Sequence, residues 1–212
     1  MRRSSSRVSH AVQTAGIIFI NMALIAAIII VSINIYRLVT EPPAVTALRS
    51  LAVPDWIEVD LIKIDGASRR GTTLDDLGAI VVHYVGNPGT TAQNNRNYFN
   101  NPDSTVSAHF VVGLDGEIIQ CIPLHEKSSA SNHRNSDTIS IEVCHPDETG
   151  VFTDAAYDAL VRLTAWLCVA CDLDTDQIIR HYDVTGKSCP KWFVDDETAW
   201  AAFKTDVMTA KE

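Results

Sequence analysis

Apolar positions along the chain follow two patterns. From Ala15 to Tyr36 they run almost unbroken, interrupted mainly by Asn21, Ser32 and Asn34. A helix over that span, at about 1.5 Å per residue, matches the roughly 30 Å hydrocarbon core of a bilayer. Beyond Trp56 the apolar residues come in short runs and periodic sets. Ile57, Val59 and Leu61 alternate and predict an edge strand over 57–64. Ile80–Tyr84 predicts a buried β-branched strand, broken by Asn87-Pro88-Gly89. Thr91 predicts the cap of a short helix, Ala92–Phe99. Val106–Val112 and Glu117–Ile122 flank Leu114-Asp115-Gly116 and predict a hairpin. Thr138–Cys144 and Gln177–His181 predict further strands. Thr153 predicts the start of a long helix with Ala156, Leu160, Leu163, Leu167 and Ala170 on its apolar side. A final helix from Asp196 would turn Trp200, Phe203 and Val207 inward. Ser128–Asp137 is polar and aperiodic, and predicts a loop over a cleft. Strands alternating with helices predict an α/β fold: a single mixed central sheet with helices on both faces, preceded by one N-terminal transmembrane helix.

The expected organisation is a basic, Ser-rich, disordered cytoplasmic tail over 1–14, a transmembrane helix over 15–36, a Pro-containing linker over 37–54 and one domain over 55–212. Arg2, Arg3 and Arg7 precede the apolar run and Arg37 follows it, which predicts an N-terminus in the cytoplasm and the rest outside. A cleaved signal peptide would have a shorter apolar core and a small-residue cleavage site; this run ends in Asn34-Ile35-Tyr36-Arg37. A retained membrane anchor is the expectation.

Charge narrows the function. The chain has 17 Lys plus Arg against 26 Asp plus Glu, and four of the arginines precede residue 41. The remainder therefore carries 13 basic and 26 acidic residues, a net of −13. That balance gives no electrostatic footprint for nucleic acid. Cys121, Cys144, Cys168, Cys171 and Cys189 make an odd count, so outside the cytoplasm at least one is unpaired or bound to metal. A Cys121–Cys144 disulfide stays open. Cys168 and Cys171 lie in a helical apolar pattern and are expected to be buried small hydrophobes.

The candidate chemistry gathers around Ile179–Pro190. His181 and Cys189 are both suitable zinc ligands, with Gly186 to bend the chain between them. A catalytic zinc site normally takes three protein ligands, so a third must come from elsewhere, and His83 at a strand end is the best candidate. Each of the three, taken alone, also fits core packing. Together, Val81-Val82-His83-Tyr84, Ser107-Ala108-His109-Phe110, Ile139-Ser140-Ile141-Glu142 and the His181–Cys189 segment, in that order, resemble the zinc-dependent N-acetylmuramoyl-L-alanine amidases. These are the amidase-2 type, related to phage lysozyme-amidases and peptidoglycan recognition proteins.

The resemblance covers roughly Asp55 to Val207. It implies Zn2+ held by His83, His181 and Cys189, with Glu142 as general base and Lys187 beside the developing oxyanion. Glu142 is a charge inside an apolar strand, which needs a reason if it is buried. Lys187, two residues before Cys189, would otherwise be a solvated loop lysine. Some related enzymes carry a catalytic Tyr where this chain has Ala108, which gives Glu142 more of the work. His109 is either a packed strand histidine or a donor in the cleft, and His133 is expected at the surface. The resemblance implies peptidoglycan as substrate and the bond between N-acetylmuramic acid and L-alanine as the target. Two other readings stand beside it: a non-catalytic peptidoglycan-binding module of the same fold, or a thiol peptidase using Cys189. Pro190 disfavours the thiol reading, because it has no N–H to offer an oxyanion.

Overall fold

The computed structural model describes residues 3–64 and 66–211. The chain divides into two units, Met1–Glu41 and Pro42–Glu212. The first is a helix, α1 (Arg3–Thr40), in which Gly16–Tyr36 has a mean hydropathy of 2.7 and no buried residue. The helix begins at Arg3, within the stretch 1–14 expected to form the cytoplasmic tail. No Pro or Gly interrupts the sequence before Gly16.

The second unit starts earlier than the apolar pattern suggests. Pro43–Leu48 forms α2, with Pro43 in its first turn, where a missing N–H costs nothing. Val45 and Leu48 are buried in the main core. The stretch 37–54 is therefore not a linker throughout. Its prolines start a helix whose i, i+3 apolar pair docks.

The remaining elements are β1 (Glu58–Val59), β2 (Ala79–Tyr84), α3 (Ala92–Phe99), β3 (Phe110–Val112), β4 (Ile118–Gln120), β5 (Thr138–Val143), α4 (Asp154–Cys171), β6 (Ile178–Arg180), α5 (His181–Thr185), α6 (Lys191–Asp195) and α7 (Glu197–Lys211). One six-stranded mixed sheet runs β1-β4-β3-β5-β2-β6. Among these strands, as far as residues are described, only β3 and β4 pair antiparallel, through the expected hairpin, whose Gly116 takes φ 84°. Strands β3, β5, β2 and β6 are mutually parallel. Thr91 and Thr153 accept the N–H groups of Asn94 and Ala156, as their cap positions predict.

Alternation along the strands separates two cores. Ile80, Val82, Phe110, Ile139 and Ile141 pack with Leu160, Leu163, Leu167 and Phe203 of α4 and α7. Val111 and Ile119, pointing the other way, pack with Ala92 and Phe99 of α3. Helices thus cover both faces. Cys168 is buried within α4, as expected, whereas Cys171 is only half-buried; all five cysteines are free thiols, so Cys121 and Cys144 are not bridged.

His109 is a packed histidine. The Ser140 N–H donates to its Nδ1 at 3.0 Å, which leaves Nε2 to donate to the Glu126 carbonyl at 2.8 Å. This network uses the neutral ring, and burial holds its pKa down at about 4. In the unfolded chain a histidine titrates near 6.5. Between those values only the unfolded chain takes up the proton, so stability falls as pH drops from about 6.5 to 4. The expected loss is roughly 3 kcal/mol. Thermal melts across that window should show it, and His109→Gln should flatten the slope.

Candidate metal centre and catalytic cleft

Two parallel strands set the site. His83 of β2 and Glu142 of β5 are register partners. They leave the sheet on the face opposite α4 and α7, near the carboxyl ends of the strands, where open α/β sheets place their ligands. The neighbouring strand β6 ends at Arg180, and His181 follows as the first residue of α5.

The chain then doubles back. Gly186 closes α5 with φ 76°, its N–H donating to the Tyr182 carbonyl at 2.7 Å. The Tyr182 N–H donates to the Cys189 carbonyl at 2.9 Å, which brings Cys189 beside His181. The Arg180 guanidinium holds this turn in place, bonding Asp183, the Phe193 carbonyl and Glu197.

His83, His181 and Cys189 each offer one ligand atom, and those atoms lie within 4.8 Å of one another. The two imidazoles sit 4.5 Å apart, centre to centre. His83 Nδ1 faces Cys189 Sγ at 3.9 Å, while its Nε2 meets Ser131 Oγ at 3.1 Å. His181 Nε2 donates to Asn132 Oδ1 at 2.9 Å, which leaves its Nδ1 lone pair free. Ligating histidines commonly have their second nitrogen fixed in this way. Both partners come from the polar stretch 128–137, which folds into a short 3-10 turn at Asn132–Ser136. The sequence marks that stretch as a loop by the cleft but gives no sign of these contacts. His133 in the same turn is exposed, as expected.

The electrostatics suit a cation. Burial, then His181 and Lys187, hold His83 well below the usual histidine range. Burial, then Lys187, lowers His181 as well. Both rings are thus neutral, as ligands must be. Burial pushes the Cys189 thiol up to about 12. An activated thiol nucleophile needs the opposite shift, which argues against the thiol peptidase. A bound cation would deprotonate the same sulfur.

Glu142 adds an acid with a buried oxygen beside these three side chains. Burial raises its carboxyl to about 8, with Lys187 opposing. Its Oε2 is sealed from solvent and has no hydrogen-bond partner. A buried carboxylate oxygen without a partner is costly in a fold unless something absent from the protein itself uses it. Two neutral imidazoles, a buried thiol and this oxygen fit a zinc centre with a reacting group beside it.

All five residues line one cleft of about 870 Å³. Lys187 is exposed at its edge, and its charge acts on His83, His181, Glu142 and Cys189. Ala108 is fully buried and brings no hydroxyl to the cleft.

Comparison with known proteins adds to this geometry. Residues 75–192 match the family model described as N-acetylmuramoyl-L-alanine amidase. The chain is 32% identical over 165 residues to the N-acetylmuramoyl-L-alanine amidase CwlL of Bacillus licheniformis, covering 70% of this chain and 45% of that one. It is 32% identical over 167 residues to the N-acetylmuramoyl-L-alanine amidase BlyA of Bacillus subtilis strain 168, covering 69% and 45%. The chain spans about half the length of these relatives. Among solved structures, the catalytic domain of XlyA is similar with a TM-score of 0.63 at 28% identity, covering 71% of this chain and 98% of that one.

Proposed function

The chain belongs to the N-acetylmuramoyl-L-alanine amidase family, and from that premise we propose that it is a zinc-dependent hydrolase of peptidoglycan. The bond cut is the amide between N-acetylmuramic acid and L-alanine. The observation that carries the reading is the convergence of His83, His181 and Cys189 beside the unpartnered Glu142 Oε2.

The geometry supports a role for each of these residues. His83, His181 and Cys189 hold the metal, and Ser131 and Asn132 orient the two rings. When bound, zinc polarises the substrate carbonyl and makes water a competent nucleophile near neutral pH. Glu142 takes a proton from the attacking water and returns it to the departing alanine nitrogen. Lys187 presents its ammonium to the carbonyl oxygen as negative charge grows there. Glu142 and Lys187 beside the ligand set favour turnover over binding alone.

Incubation of the full chain with purified peptidoglycan, followed by mass spectrometry, tests this. Free stem peptide beginning in alanine should appear, vanish with chelator and return with Zn2+. Cuts elsewhere, or release that survives chelation, would sink the proposal.

For its location, we propose that residues 15–36 anchor the chain in a membrane and the hydrolase unit acts outside it. The bare, apolar Gly16–Tyr36 helix supports this. The full chain should stay in the membrane pellet after alkaline carbonate washing. Recovery in the culture medium would refute the anchor.

A further inference from the structure

The cleft does not share the charge of its surroundings. Beyond residue 40 the chain has 13 basic and 26 acidic residues. Among the described residues, the charged ones lining the cleft are Arg70, Lys187 and Glu142, and the two exposed ones are both cations. Lys187 already has a role at the reacting bond. Arg70 has none.

Arg70 also stands apart from the other arginines of this unit. Arg69 is paired with Glu126, Arg96 with Asp60, Arg134 with Asp137, and Arg180 with Asp183 and Glu197. Arg162 lies over the Trp56 ring, and Arg49 bonds Thr73. Among the described residues, Arg70 alone of these arginines has no partner in the protein.

The backbone that presents it is nonetheless well anchored. The buried Arg69 guanidinium grips both Glu126 oxygens at 2.8 Å and the Ile62 carbonyl. Ser68 Oγ donates to the Ser104 carbonyl at 2.7 Å, and Ser107 Oγ donates to the Ser68 carbonyl. A free guanidinium on a fixed segment at a cleft wall is arranged in advance for an anion. Its planar fork matches a carboxylate in two hydrogen bonds.

We propose that Arg70 binds a carboxylate on the peptide portion of the substrate, so that the cleft selects stem peptides whose acid groups are free over those whose acids are amidated. The proposal rests on the hydrolase reading above. Amidation removes the charge and replaces one acceptor oxygen with a donor, so the paired contact is lost.

The test uses zinc-loaded full chain and two synthetic N-acetylmuramoyl tripeptides that differ only in having their carboxyls free or amidated. Wild type should favour the free acid by roughly tenfold in kcat/KM, mostly through KM, the scale of a charge-assisted pair. Arg70→Gln should bring the ratio near one, and Arg70→Lys should keep part of it. Lys63→Gln, an exposed lysine outside the cleft, should keep all of it. Equal use of both substrates by wild type, or an unchanged ratio in Arg70→Gln, would overturn this inference and leave the hydrolase reading standing. Failure of zinc-loaded wild type to cut either compound would overturn both.

Discussion

Glu142→Ala is expected to lower release of stem peptide from peptidoglycan by about 10²- to 10⁴-fold while bound zinc is retained, the usual scale for a lost general base. Among the described residues, Glu142 is the one carboxylate lining the cleft, and its Oε2 has no hydrogen-bond partner. No hydroxyl stands at Ala108 to share the proton transfer. Glu142→Gln keeps the shape and removes the base, so it should lose nearly as much activity as Glu142→Ala. It also removes a buried group whose ionisation the fold opposes, so the metal-free variant should melt at a higher temperature than metal-free wild type. Activity close to wild type in Glu142→Gln would end its assignment as the base. A purely structural glutamate would show the reverse pattern, with lower stability and normal turnover.

Cys189→Ala should remove both metal and activity. It leaves two imidazoles, one short of the three protein ligands a catalytic zinc usually has. Zinc content of the purified variant should fall to background, and activity should fall by more than about 100-fold, beyond what loss of an outer-shell partner gives. Ser131→Ala supplies that milder comparison. It frees His83 Nε2 without touching a ligand, so zinc affinity should weaken by about 10- to 100-fold and excess zinc should restore activity. Metal-free wild type should melt lower than the zinc-loaded form, because an ion that binds only the folded chain stabilises it by mass action. Cys189→Ala should show no such difference on adding zinc.

Much of the fold is legible because its signals are local. Thr91 and Thr153 announce helix starts, and the Leu114-Asp115-Gly116 turn announces the hairpin. The β-branched run before His83 announces a buried strand. The pairing of β2 with β5 is not local, and no periodicity sets His83 opposite Glu142. The site was assembled from the sequence by family resemblance, and the structure places those five residues on one cleft. What escaped the sequence depends on tertiary contacts. Val45 and Leu48 lie in a stretch that its prolines mark as a linker, yet they dock in the core. Ser131 and Asn132 carry no pattern, and only the fold brings them to the histidines. His109 had two equal readings until the Ser140 N–H and the Glu126 carbonyl fixed its tautomer. Arg70 resembles any surface arginine until the pairing of its neighbours singles it out.

The proposed convergence of three distant side chains on one ion is best measured by X-ray absorption at the zinc edge of the full chain, purified in detergent and loaded with one equivalent of metal. The spectrum should show one sulfur at about 2.3 Å and two imidazole nitrogens at about 2.0 Å, with the sulfur lost in Cys189→Ala. A zinc shell with no sulfur in the active wild-type protein, or a sulfur signal that persists in Cys189→Ala, would contradict the account.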